Sequence, residues 1–304
     1  MSEPASDLTR FAWLSVGAAL VTIALKSGAW WITGSVGLLS DAMESGVNLV
    51  AALVALWALK VAARPADRDH EFGHTKAEYF SSGVEGALIL VAALGIGLTA
   101  VRRLIHPAEL SRLGVGVAVS GAATAVNLAV ALVMLRAGKR HRSIALEADG
   151  QHLLTDVWTS VGVAIGMVAV ILSKWPPLDP IVALAVAVNI VRVGVMLMYR
   201  SGMGLLDAAV PLSERAALEA ILDGYRSEGM RWHALRTRQA GARRFISLHV
   251  LVPGEWTVER GHDLCERIEN HLSTTYPVVT VFTHMEPLED PRAYGDQGLD
   301  RTGG

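Results

Sequence analysis

Four side chains in two apolar stretches of this sequence could hold a cation between them. Glu44 and Asn48 are four positions apart in the stretch 37–60, and His152 and Asp156 are four apart in the stretch 147–173. Residues at i and i+4 share one helix face, so each helix would present two ligands together. At about 1.5 Å rise per residue, Glu44 lies roughly 14 Å and Asn48 roughly 20 Å from the outer start of their helix. The second helix runs the other way and sets His152 roughly 12 Å and Asp156 roughly 18 Å into a hydrocarbon core of about 30 Å. Glu44 is therefore expected opposite Asp156, and Asn48 opposite His152, near mid-bilayer. Polar groups at such depth often serve only as hydrogen-bonding glue between helices. Two carboxylates and a histidine at one level strain that explanation, because an intramembrane carboxylate costs roughly 2.5–3.5 kcal/mol on insertion scales. Three oxygens and one imidazole nitrogen suit a small divalent metal, Zn2+ first, with Mn2+, Fe2+ or Co2+ as alternatives.

Long apolar helices must carry these residues, and the composition supplies them. AVILMFWYC make up 52% of 304 residues and charged residues 18%. A net charge of -2 leaves no basic face for a nucleic-acid partner. The single cysteine, Cys265, excludes an intramolecular disulfide and a thiolate-rich zinc cluster, so metal chemistry falls to His, Asp and Glu. Cys265 itself reads as a small buried helix residue. Six apolar stretches, near 11–33, 37–60, 79–101, 113–135, 147–173 and 178–199, are each long enough to cross a bilayer. The fourth, with Asn127 as its one strongly polar side chain, reads as an ordinary lipid-facing span. Ser2 to Arg10 carries acids as well as a base, unlike a cleaved signal peptide, so the first stretch is expected to stay. With the N-terminus inside, about ten Lys and Arg flank the inner ends and about four the outer ends, which predicts both termini to be cytoplasmic. Leu178-Asp179-Pro180 reads as a helix start with Asp179 at the cap, and Glu85 in the third stretch has no assigned role.

Between the second and third stretches, Asp67, His70 and His74 form DxxHxxxH, a spacing that lets three ligands share one face of a short helical turn. After Asp207 the chain changes to soluble character. Ser213 to Glu228 is a predicted helix capped by Ser213. Trp232–Gln239 and Arg244–Val252 are strands, the second alternating as Phe245, Leu248 and Val250, with a turn at Gly241 between them. Thr257–Thr275 is an amphipathic helix and Val278–His284 a third strand. The order α-β-β-α-β predicts a small α+β domain with helices on one face of a three-stranded sheet. The fold class is thus an α-helical membrane protein: a six-helix transmembrane domain over 1–206, a cytoplasmic α+β domain over 207–290, and a tail over 291–304 expected to be disordered.

The runs SVGLLSDAMES (35–45), DRDHEFGHTKAE (67–78) and EADGQHLLTDVWTS (147–160) resemble the cation diffusion facilitators, proton-coupled divalent metal exporters. The resemblance continues through LLDAAVP, WHALRTRQAG, ISLHV and FTHMEP, so it covers nearly the whole chain. It implies a homodimer of six-helix bundles with metallochaperone-like (ferredoxin-like) cytoplasmic domains. It also implies a peripheral metal site at Asp67, His70 and His74, and a binuclear cytoplasmic site at His233, His249, His262, His284 and Glu286. Lys76 and Asp207 match the family's charged interlock at the dimer centre. The short loop AGKRHRS (137–143) resembles bacterial members, which implies a multi-pass protein of a bacterial inner membrane. At 44 and 48 this chain departs from the family's DxxxD or HxxxD, and an asparagine amide cannot carry an exchanged proton.

The expected function is a divalent cation exporter driven by proton antiport, with cytoplasmic metal sensing. Zn2+ or another divalent transition metal would be both substrate and regulatory ligand. A membrane-anchored metal sensor or scaffold is the alternative from another class. No nucleophile motif or phosphate loop points to an enzyme.

Overall fold

The computed structural model describes residues 6–33, 36–106, 115–175, 177–276, 278–295 and 297–298. The side chains of Glu44 and Asp179 lie outside the described residues. The chain divides into two compact units, one ending at Met203 and one beginning at Gly204.

The first unit is built from six helices: α1 (Ser6–Thr33), α2 (Val36–Ala62), α3 (Ala77–Ile105), α4 (Val115–His141), α5 (Ile144–Ser173) and α6 (Leu178–Leu205). Each has 27 to 30 residues, about 40–45 Å of helix. Among the described residues, five contain a segment long and apolar enough to cross a membrane: Leu8–Trp31, Ser45–Ala62, Ala77–Ile105, Gly121–His141 and Pro180–Leu205. α5 carries Glu147, Asp149 and Asp156 in its first half. Large apolar side chains such as Trp31, Leu172 and Val188 point outward, as lipid would require.

α5 is the hub that buries this acid. Ala145, Leu146 and Leu153 pack with Val16 of α1, Leu56 of α2 and Met134 of α4 in one cluster. Ala148 packs in another with Ile89 and Ala93 of α3 and Ile190 and Leu197 of α6. Small residues allow the close approach: a Cβ on Gly86 would lie 3.2 Å from the carbonyl of Gly194, and one on Gly194 would lie 3.2 Å from the carbonyl of Gly86. Polar links then fix α5. Glu78 of α3 accepts from the Ser143 hydroxyl and, at 3.5 Å, from the Ala145 amide, closing the α5 N-terminus. Arg200 of α6 donates to Glu147 at 2.7 Å, and Ser15 of α1 to Asp149 at 3.0 Å.

The second unit runs α7 (Leu212–Gly224), a 3-10 turn (Tyr225–Glu228), β1 (Arg231–Ala240), β2 (Arg243–Val252), α8 (Val258–Thr275) and β3 (Val279–Pro287). The predicted α-β-β-α-β order is present. The sheet order is β1-β2-β3, with β1 antiparallel and β3 parallel to β2. Gly241 turns the β1–β2 hairpin with φ +59°. Thr257 caps α8 by accepting from the Arg260 amide at 3.2 Å.

Three local expectations need correction. Pro211, not Ser213, holds the cap position of α7, and its last predicted turn tightens into the 3-10 segment. Phe245 is on the opposite face of β2 from Leu248 and Val250. Ile246, Leu248, Val250 and Val252 make the helix-covered face with Leu222, Leu264 and Ile268, while Phe245 lies under the Arg238 guanidinium, 4.2 Å from its ring centroid. In the segment expected to be a disordered tail, Pro291–Tyr294 form a 3-10 turn capped by Asp290. Arg236 also donates to the carbonyls of Gln297 and Gly298.

Candidate metal centres

Inside the helix bundle, α2 and α5 bring together Asn48, His152 and Asp156. Asn48 and His152 are 6% and 4% exposed. The Asn48 amide donates to Asp156 Oδ2 at 2.5 Å, and its Oδ1 lies 2.9 Å from His152 Nε2. Asn48 thus bridges both partners rather than facing His152 alone. The i, i+4 spacing on α5 works as the sequence predicted, because both side chains reach one asparagine. Glu44, the fourth expected ligand, lies outside the described residues.

Asp67, His70 and His74 converge in the segment between α2 and α3. His70 Nδ1 is 3.3 Å and His74 Nε2 3.2 Å from the Asp67 carboxylate, and the imidazole centroids are 4.4 Å apart. No helical turn carries them, contrary to the sequence expectation. The segment is a loop in which Gly73 at φ +83° reverses the chain and lets His74 fold back on Asp67. Partial desolvation pushes the Asp67 carboxyl up. The backbone N–H of His70, the His74 ring, and the N–H of Asp69 outweigh it and hold the group below its usual range.

The sheet of the second unit builds the third cluster by register. His233 of β1 pairs with His249 of β2, and His249 pairs with His284 of β3, so one histidine from each strand stands in a row. Side chains alternate faces along a strand, so Glu286 shares this face with His284. A β-bulge between His233 and Arg236, with Ala234 at φ +49°, lets β1 keep Leu235 in the core while aiming His233 the other way. Glu286 Oε2 lies 3.1 Å from His233 Nε2 and 3.0 Å from His249 Nδ1, and its Oε1 lies 3.5 Å from His284 Nε2. Met285, one residue away, points to the core and fills the space left by Gly261. His262, on α8, is exposed and makes no hydrogen bond or ion pair to this cluster among the described residues. Cys265 is buried in the core, and burial pushes its thiol up, as for a structural cysteine.

A bundle of membrane-length helices with buried metal-type ligands, followed by a sheet carrying a histidine row, is matched over most of the chain by two family models. The cation efflux transmembrane domain matches residues 12–206, and the cation efflux protein cytoplasmic domain matches residues 210–288. The chain belongs to the cation efflux family. It is 54% identical to the uncharacterized transporter sll1263 of Synechocystis sp., over 93% of this chain and 92% of that protein. It is 31% identical to the cation-efflux pump FieF of Klebsiella pneumoniae, over 92% of this chain and 93% of that one. A solved chain of CzrB in its zinc form is 34% identical over 28% of this chain and 97% of that chain, with a TM-score of 0.26.

In this cation efflux protein two residues near the candidate centres escaped the sequence reading. Asn127 of α4 is 5% exposed and its amide points to Asp156 Oδ2 at 3.5 Å, so α4 is not a plain lipid-facing span. The available signal was its isolation: one amide in an otherwise apolar stretch costs free energy unless it finds a partner. Tyr294 packs edge-on against His233, with centroids 5.8 Å apart, and lies in the segment read as a tail. Of the two interlock candidates, Asp207 accepts from Arg238 at 3.1 Å within its own unit, and Lys76 precedes α3.

Proposed function

We propose that this chain exports a divalent transition-metal cation, Zn2+ foremost, in exchange for protons. The observation that carries the reading is the buried Asn48–His152–Asp156 network between two helices of a membrane bundle in a cation efflux protein. An imidazole nitrogen, a carboxylate and an amide oxygen, with Glu44 from the same face of α2, make a four-ligand set that suits tetrahedral Zn2+. Mn2+, Fe2+ and Co2+ compete because most of the donors are oxygen. Protons drive the exchange by competing for the same bases, since a ligand must be deprotonated to hold metal.

In this reading the chain is a homodimer in a bacterial inner membrane with both termini in the cytoplasm, and Lys76 and Asp207 form its central interlock. Cytoplasmic metal binds at His233, His249, His284 and Glu286 and biases the bundles toward transport. The loop triad Asp67, His70 and His74 is a peripheral metal site. The test is metal-by-metal uptake into proteoliposomes holding the full chain under an imposed pH gradient. Zn2+ flux that collapses when the gradient is removed supports the reading. Metal binding with no flux of any of the four ions overturns it in favour of a membrane-anchored sensor.

A further inference from the structure

The bundle buries two carboxyl groups that the proposed transport site does not use. Glu85 of α3 is 0% and Asp149 of α5 is 1% exposed. Ile89, one turn after Glu85, packs in the same core cluster as Ala148, the neighbour of Asp149, and the two carboxyl groups are within electrostatic reach of each other. Each has one oxygen satisfied by a serine. Ser81 donates to Glu85 Oε1 at 3.2 Å, and Ser15 donates to Asp149 Oδ1 at 3.0 Å. The other oxygens, Glu85 Oε2 and Asp149 Oδ2, are buried with no hydrogen-bond partner among the described residues.

The surroundings offer little to neutralise two negative charges. α1 contributes Ser15 and α3 contributes Ser81. On α5 the nearest titratable groups are His152, one turn further into the membrane, and Glu147, which accepts from Arg200 of α6 at 2.7 Å. α6 otherwise faces Gly86 with Met198 and the Gly194 backbone, and α4 faces Gly150 with Leu135. The Glu44 side chain on α2 lies outside the described residues. Two like charges in a low-dielectric interior are relieved when one group takes a proton. The serine hydroxyls have already chosen which oxygens accept, so the proton's place is on the other two.

We propose that Glu85 and Asp149 together hold one exchangeable proton, on Glu85 Oε2 or Asp149 Oδ2, and that it leaves as metal enters the site one helical turn away. This rests on the exporter reading. His152 is three residues beyond Asp149, about 4.5 Å along the helix, so a divalent charge there favours the ionised pair. The carboxyl O–H bond breaks and the proton passes to the inner water as the cation is taken up. After the cation leaves on the outer side, a proton from that side restores the O–H bond. The pair ends each cycle as it began, with one proton moved opposite to the metal. It supplies the titratable group that the Asn48 amide cannot.

The full-length protein in detergent, weakly buffered at neutral pH, is titrated with Zn2+ while released protons are counted with an indicator dye. Infrared difference spectra are recorded in H2O and D2O. In the unsubstituted protein Zn2+ should erase a protonated-carboxyl C=O band. In Glu85→Gln and Asp149→Asn that change should vanish and the proton count should fall by as much as one per protein, with Zn2+ still bound. Absence of the band change in the unsubstituted protein overturns the proposal whether or not the variants fold, as does its persistence in both variants. Proteoliposome flux separates the two readings: flux without the band change sinks only the proton pair, and the band change without flux sinks only the exporter.

Discussion

Glu286 is the anionic centre of the histidine row, and its removal gives the sharpest test of the cytoplasmic site. Its two oxygens lie 3.0–3.5 Å from nitrogens of His233, His249 and His284, which sit on three different strands. A four-ligand zinc site in a small domain is worth about 10–16 kcal/mol at pH 7, so one ligand is worth about 2.5–4 kcal/mol, on the order of 10²–10³ in Kd. With free Zn2+ at about 1,000 times the original Kd, metal stabilises the domain by about 4.1 kcal/mol; a hundredfold weaker site leaves about 1.4 kcal/mol. For a domain of this size the zinc-induced rise in Tm should then shrink by roughly 10–20 °C in Glu286→Ala. The segment from residue 208 has its own core around Leu218, Ile246, Leu248 and Ile268, so it can be measured alone. Calorimetric titration gives Kd, and thermal unfolding with and without Zn2+ gives the linked stabilisation. Comparing each protein with itself removes the effect of Glu286 on the histidines in the absence of zinc. An unchanged Kd in Glu286→Ala, or no Zn2+ bound by the unsubstituted domain, refutes the assignment.

Three further outcomes are expected in the membrane unit. Asp156→Ala should lower Zn2+ flux by about 10²-fold or more while size-exclusion profiles stay unchanged, because one charged ligand of four is gone; near-normal flux would remove Asp156 from the site. Asn48→Asp adds a titratable ligand and should raise Zn2+ affinity and steepen the dependence of flux on pH, and identical pH profiles and Zn2+-to-Mn2+ ratios in the two proteins would make Asn48 a packing residue. Asn127→Leu removes an amide that steadies Asp156 from a third helix and should weaken metal affinity about tenfold, as loss of a supporting hydrogen bond does; an equal Kd by calorimetry in the full-length protein would show that the 3.5 Å contact is incidental.

The elements were legible because their signals are periodic and redundant. Twenty apolar residues in a row fix a helix whatever its neighbours do, and the alternating strands needed only a turn at Gly241 to form a hairpin. What depended on long-range packing was less visible. Which face of β2 is covered turned on one residue of register, so Phe245 was grouped with Leu248 although they point apart. The Asp67 triad was found by spacing, but its geometry comes from a loop reversal at Gly73 and not from helical periodicity. Asn127 and Tyr294 reach their clusters from elements far away in sequence, α4 and the segment after β3, and no local pattern announces such a contact. Spacing within one helix identifies ligands that share a face. It says nothing about which third helix will lean in.

The hydrogen bonds around Asn48 bear on why an amide stands where a carboxylate could. Asp156 Oδ2 accepts from the Asn48 Nδ2 group at 2.5 Å, which leaves Asn48 Oδ1 turned to His152 Nε2 at 2.9 Å. An amide oxygen has no hydrogen to give, so the His152 nitrogen must be the donor and carry its proton at Nε2. In that tautomer Nε2 has no lone pair for a metal. A cation can bind there only after the proton has moved to Nδ1 or left the ring, and after the Asn48 oxygen has turned from the imidazole. A cation at His152 Nε2 and this hydrogen bond therefore exclude one another. An aspartate at 48 would face the Asp156 carboxylate with no N–H to offer and would need a bound proton to settle beside it. Asparagine satisfies both neighbours without one, so in the proposed exchange less of the proton load falls to α2 and more to His152 and the carboxyl groups of α3 and α5.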